Sequence, residues 1–144
     1  MENGSCIIPV TAALIVNDQG EVLIARRKSH LRNGGKWEFP GGKLRPGEAP
    51  EACLCRELEE EMGITIEVYA PFWAVNHAYP TQNILLLGYF CRITGENWRL
   101  TDHDEIRWVS RFRLLDYDLS DADVEIARRL RQLPALPSMK STPS

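Results

Sequence analysis

The chain has 144 residues and a formal net charge of −3, with 44% apolar and 26% charged residues. That is the length of one domain with one sizeable core and the composition of an ordinary globular protein. So small a charge excludes a global pull toward nucleic acid or anionic lipid, so a polyanionic partner must be met by local charge or by a metal. No apolar run approaches the roughly 18 residues of a membrane span. The first residues, MENGSC, have neither a basic start nor a cleavable apolar stretch, and a cytoplasmic location is expected. Cys6, Cys53, Cys55 and Cys91 show no CxxC pairing or zinc spacing and are expected to be reduced thiols.

CIIPVTAALIVND and EVLIARR are apolar, β-branched runs joined by the turn signal NDQG, which predicts a hairpin over residues 7–27. RKSHLRNGG is a polar loop and KWEF a short extended piece. PGGKLRPGE, dense in Gly and Pro, predicts a shaped loop. Pro50 suits a first helical turn and Gly63 a stop, so a helix is predicted over residues 50–62. ITIEVYAPFWAVNHAY reads as extended but broken at Pro71. PTQN turns the chain into the strongly apolar strand ILLLGYFCRI. ENWRLTDHDE is a polar loop, with His103 expected to be exposed, leading into the strand IRWVS. RFRLLDYDLS predicts a short helical turn. DADVEIARRLRQL is an amphipathic closing helix, its buried stripe Val124, Ala127, Leu130 and Leu133 with Ile126 alongside. Residues 134–144 have too little apolar content to order themselves and predict a loose tail. The sum is a single α/β domain over residues 1–133, with helices packed on a mixed sheet.

The predicted first helix carries Glu57, Glu59, Glu60 and Glu61. At 100° per residue, Glu57, Glu60 and Glu61 share a sector of about 100°. Like charges that close repel, and only Arg56 lies among them to offset this. The helix therefore bears either a solvated acidic face or a seat for a hard cation such as Mg²⁺ or Mn²⁺, which takes carboxylate oxygen.

The spacing around that helix decides between the two. Gly42, Glu48, Arg56, Glu57, Glu60, Glu61 and Gly63, with aliphatic Leu58 and Ile64, match the signature G-x5-E-x7-R-E-U-x-E-E-x-G-U. The chain thus resembles the Nudix hydrolase family. WEFPGGK ahead of the box, ARR closing the second strand and the Trp strand after an acidic loop are similar to its MutT-like subgroup. The resemblance implies the Nudix fold, an α/β/α sandwich with a mixed β-sheet. It also implies Mg²⁺-dependent cleavage of a nucleoside triphosphate to monophosphate and pyrophosphate, with 8-oxo-dGTP, (d)CTP and modified forms as candidate substrates. A small-molecule nucleotide is the expected partner, without nucleic acid or membrane, for a monomer or homodimer. Two other readings stand beside it: hydrolysis of another nucleoside diphosphate derivative such as ADP-ribose, and a non-catalytic nucleotide-sensing module. Such modules usually lose box glutamates, and every one is present here.

By resemblance, Glu57, Glu60 and Glu61 are metal ligands, with Glu57 also able to orient and deprotonate the attacking water. Arg56 steadies Glu57 and the loop. Glu48 lies outside the helix, and its reach to the metal depends on the loop. Gly41 and Gly42 allow the close backbone approach the loop needs, Gly41 counting with the metal site. Asp102, six residues ahead of Trp108, is the further acidic ligand; Asp104 or Glu105 could replace it. Arg27 matches an arginine that contacts substrate phosphate, and His30 and Arg32 are weaker candidates from the same loop. For the base, the resemblance points to Asp123 at the opening of the last helix, to Tyr79 and to Gln82. Phe39, Trp37 and Trp73 are further stacking candidates. A carboxylate only accepts hydrogen bonds, so Asp123 favours a base edge rich in N–H groups.

Overall fold

The computed structural model describes residues 6–137. Seven strands and two helices follow the chain: β1 (Ile7–Ile15), β2 (Glu21–Arg27), β3 (Trp37–Glu38), β4 (Gly41–Lys43), α1 (Pro50–Met62), β5 (Ile64–Ala78), β6 (Asn83–Glu96), β7 (His103–Ser110) and α2 (Asp121–Gln132). A 3₁₀ turn at Leu114–Asp116 precedes α2. The strands form a mixed four-stranded sheet, β4-β1-β6-β5, and a three-stranded antiparallel sheet, β3-β2-β7.

β1 and β2 are not a hairpin ladder. The Asn17 side chain accepts from the Gln19 and Glu21 amides and closes the turn, and one bridge links Val16 to Val22. The strands then part, β1 pairing in parallel with β6 and β2 antiparallel with β7. Both are apolar on both faces because each is covered on both. Ala12, Leu14, Val22 and Ile24 join the core under α2, whereas Ala13, Ile15, Leu23 and Ala25 join the core under α1. The result is the expected α/β/α sandwich.

Two further expectations change. Residues Gly41–Lys43 pair with β1 and so are a strand within the Gly-rich loop. Pro71 does not break β5. The strand lies at the sheet edge and bulges on either side of Pro71, where a missing N–H is tolerated.

Helix α1 starts with Pro50 in its first turn and ends at Gly63, whose φ of 71° is the left-handed conformation of a C-terminal stop. The open carbonyls beyond Glu59 are met by the loop after β6: Asn97, Arg99 and Thr101 donate to Gly63, Met62 and Glu61. At α2 the buried Arg111 guanidinium donates to the carbonyls of Leu130 and Leu133 at 2.7 and 2.6 Å, closing the helix end. Leu136 packs on the core and Tyr69 donates to the Pro137 carbonyl. Residues 138–144, the rest of the expected tail, lie outside the described residues.

Gly41 sits so tightly on β1 that a Cβ there would strike the Thr11 carbonyl oxygen. The obstacle is backbone, which cannot swing aside. Gly41→Ala is therefore expected to destabilise the fold by about 1–3 kcal/mol, read as a lowered urea midpoint; an unchanged midpoint contradicts the close packing.

Candidate active site

Two groups of residues meet at β4. The first is a cleft of about 180 Å³ whose walls include Arg27, Phe39, Tyr79, Gln82 and Asp123. These come from β2, the β3–β4 corner, the β5–β6 turn and α2, segments up to 96 residues apart in sequence (Arg27 to Asp123). Gly41, Gly42, Thr11 and Arg32 complete the wall toward α1. His30 is exposed and is not among the lining residues. Trp37 is buried against Tyr117, and Trp73, on β5, is partly exposed beneath the Arg129 guanidinium of α2, and neither lines the cleft.

The second group is acidic and centres on Arg56. Its guanidinium grips Glu48 with two bonds, 2.7 Å from Nε and 2.9 Å from Nη2. Nη1 donates to Glu57 at 2.9 Å and to Glu60 at 3.3 Å. Glu48 also accepts from the Arg45 amide, and the two donors hold its carboxyl down at about 2. Glu60 points outward, with 55% of its side chain exposed. Glu61 turns inward, and burial, then the hydrogen bond and charge of Glu57, then the charges of Asp102 and Glu38 push it up to about 10. Of the three acidic residues before the last strand, Asp104 pairs with Arg26, and Glu105 pairs with Arg26 and Arg107. Asp102 is not in these pairs, and its charge acts on Glu61 from the end of the loop that closes α1.

Gly42 joins the two groups. It lines the cleft, and a Cβ on it would collide with the Glu57 carboxylate. The buried Thr11 hydroxyl fixes this contact through the Gly42 carbonyl and the Cys53 thiol. All four cysteines are free, with Cys53 and Cys91 buried and Cys6 and Cys55 exposed.

Among the described residues no three acidic, histidine or cysteine side chains form a ready metal cage. The donors nonetheless fit a hard cation. Glu57, Glu61 and Asp102 carry the oxygen donors a hard cation takes, and the charges of Glu57 and Asp102, which push Glu61 up, are what an added positive charge would relieve.

Three findings were absent from the sequence reading. His103 is 1% exposed, not exposed, and lies 2.8 Å from Glu38. Glu38, which lines the cleft and also takes a 3.4 Å bond from Arg27, had not been singled out. Its only signal was an acidic residue between two buried aromatic neighbours, Trp37 and Phe39. Asp123, finally, is 5% exposed, and burial followed by the charge of Glu38 holds its carboxyl well above the usual range. Tyr79 faces the cleft but uses its hydroxyl to accept the Ala122 amide at 2.9 Å, which pins the start of α2 and so Asp123.

The sequence profile of the NUDIX domain matches residues 8–130. The chain belongs to the Nudix family. Among its relatives, the 8-oxo-dGTP diphosphatase of Escherichia coli strain K12 is 32% identical over 127 residues, covering 88% of this chain and 98% of that enzyme. The CTP pyrophosphohydrolase of the same strain is 30% identical over 131 residues, 90% of this chain and 95% of that one. The crystal structure of a MutT protein from Methanosarcina mazei Go1 superimposes with a TM-score of 0.80 at 29% identity, over 90% of this chain and 95% of that one.

Because Glu48 titrates far below its ordinary 4.5, its share of this Nudix fold's stability is complete above 4.5 and lost as pH falls toward about 2. Arg56→Gln removes the cause. Urea midpoints measured across that window should fall less steeply with acid in the variant than in the wild type. Parallel curves would contradict the clamp.

Proposed function

We propose that this Nudix hydrolase cleaves a nucleoside triphosphate to a monophosphate and pyrophosphate with Mg²⁺, or alternatively Mn²⁺, and so cleanses the nucleotide pool of the cytoplasm. The observation that carries the reading is the shared wall at Gly42, which sets a nucleoside-sized cleft against an acidic nest. Four free thiols suit a reducing compartment. Among the described residues no helix is long and apolar enough to cross a membrane.

The nucleoside enters between Phe39, Tyr79 and Gln82, with Asp123 facing the base edge. The Asp123 carboxyl offers acceptor oxygens to N–H groups, which both cytosine and oxidised guanine present. Candidate substrates are therefore 8-oxo-dGTP and (d)CTP with their modified forms. Arg27, anchored by the Arg32 carbonyl at 2.8 Å, presents its guanidinium to the phosphates at the cleft mouth.

Glu57, Glu60, Glu61, Asp102 and the Gly41 carbonyl would hold the cation. When bound it neutralises phosphate oxygens and lowers the pKa of a water. Glu48, with both oxygens engaged by Arg56, serves first to fix that arginine. Arg56 in turn holds Glu57 in place, and Glu57 orients the attacking water and takes its proton. Water oxygen bonds to phosphorus, the anhydride P–O bond breaks, and pyrophosphate departs.

A panel of CTP, dCTP, 8-oxo-dGTP, dATP and ADP-ribose, assayed for pyrophosphate with Mg²⁺, tests this. Release is expected from at least one of the first three, whereas ADP-ribose, scored by its conversion to AMP and ribose 5-phosphate, should stay whole. Glu57→Gln should lower kcat at least about 100-fold while the thermal midpoint stays near that of the wild type. Full activity in that variant, or silence of the wild type on every triphosphate, would refute the proposal.

A further inference from the structure

We infer that Tyr79 is a positioning residue for Asp123: its hydroxyl caps α2 in place of the helix's own cap, Ser120, and so leaves the Asp123 carboxyl turned to the cleft. The inference rests on the nucleotide reading above and deepens it.

The start of α2 is written with a cap that it does not use. Ser120 stands at the N-cap position and Asp123 three residues on, which is the spacing of a capping box. In such a box the serine hydroxyl accepts an amide N–H of the first turn, and the acidic side chain folds back onto the serine N–H. Among the described residues neither bond forms. Ser120 makes no side-chain cap, and its Oγ is buried without a hydrogen-bond partner. Its N–H donates instead to the Trp37 carbonyl at 3.0 Å. Asp123, 5% exposed, lines the cleft and interacts with the Phe39 backbone.

Both halves of the box are therefore met from outside the helix. The Trp37 carbonyl stands in for Asp123. It is held there because the Trp37 N–H donates to the Asp118 carbonyl at 2.9 Å and Trp37 bridges Leu119, which lays this segment along β3. The Tyr79 hydroxyl stands in for Ser120, accepting at 2.9 Å the Ala122 N–H, one of the amides an N-cap serine takes. Tyr79 can do this because its own place is fixed. Its backbone exchanges hydrogen bonds of 2.8 and 3.3 Å with Gln82 across the β5–β6 turn, and its ring stands edge-on to His77 with centroids 4.4 Å apart. Without the hydroxyl the Ala122 N–H loses its acceptor. The idle Ser120 hydroxyl is placed by sequence to take it, and a first turn drawn onto Ser120 carries Asp123 back from the base. A buried hydroxyl without a partner is a local cost, of the kind that marks a position kept for function.

The test is a double-mutant cycle on Tyr79→Phe and Asp123→Ala, with Ser120→Ala alongside. KM and kcat are measured on the best triphosphate, and Kd by calorimetry on the corresponding monophosphate. Tyr79→Phe keeps the ring and removes only the hydroxyl, so KM and Kd should rise about tenfold with kcat close to that of the wild type. In the Asp123→Ala background the same change should add nothing, because the group it positions is gone. Ser120→Ala should keep the wild-type urea midpoint, whereas loss of a working N-cap serine lowers it. Unchanged KM and Kd in Tyr79→Phe, an equal rise in both backgrounds, or a lowered midpoint in Ser120→Ala would each overturn the inference and leave the proposed activity standing. A wild type that neither binds nor cleaves any nucleotide would instead remove both.

Discussion

Everything at this site answers to carboxylates crowded around the inner end of one short helix. Glu48, Glu57 and Glu60 are reconciled by a single cation, Arg56, whose fork spans all three. The guanidinium suits that task because its donors are planar and fixed, whereas an ammonium would offer one point of charge. On the inner side no such partner exists among the described residues. Burial and the nearby charges of Glu57, Asp102 and Glu38 push the Glu61 carboxyl up to about 10. A helix with one side neutralised and the other left short of positive charge is a place where a divalent ion gains more than it would on a solvated surface.

The fold converts that helix into a site by joining distant segments. β1 and β2 diverge after a single bridge, so β4 can lie on β1 while β3 lies on β2. Between them the chain turns the corner that carries Phe39, Gly41 and Gly42 into the cleft. The absence of a side chain at Gly42 lets Glu57 reach that wall, and Tyr79 fastens α2 so that Asp123 faces it.

Much of this was legible in the sequence, and what was not has a common cause. Helix α1 was bounded correctly because Pro50 and Gly63 act locally. The partners of β1 and β2 were not legible, because Ile7 pairs with Asn83 and Glu21 with Ser110, contacts no local turn signal encodes. Pro71 misled because its tolerance depends on lying at a sheet edge. His103 was misplaced because one skipped residue reverses which way a strand residue points. Asp123 could be located by its register at the start of α2, but its burial is supplied by other elements. Glu38 acquired meaning only once His103 and Arg27 were seen beside it.

The central claim is that the inner carboxylates are a divalent-ion seat kept partly neutral by their own repulsion. Magnesium titrated into the protein near pH 8 by calorimetry, in two buffers of different ionisation heat, counts the protons released on binding. Because Glu61 is pushed up to about 10, binding should expel roughly one proton, and Glu61→Gln should abolish that release and weaken binding. Absence of magnesium binding, or binding with no proton released by the wild type, would contradict the account.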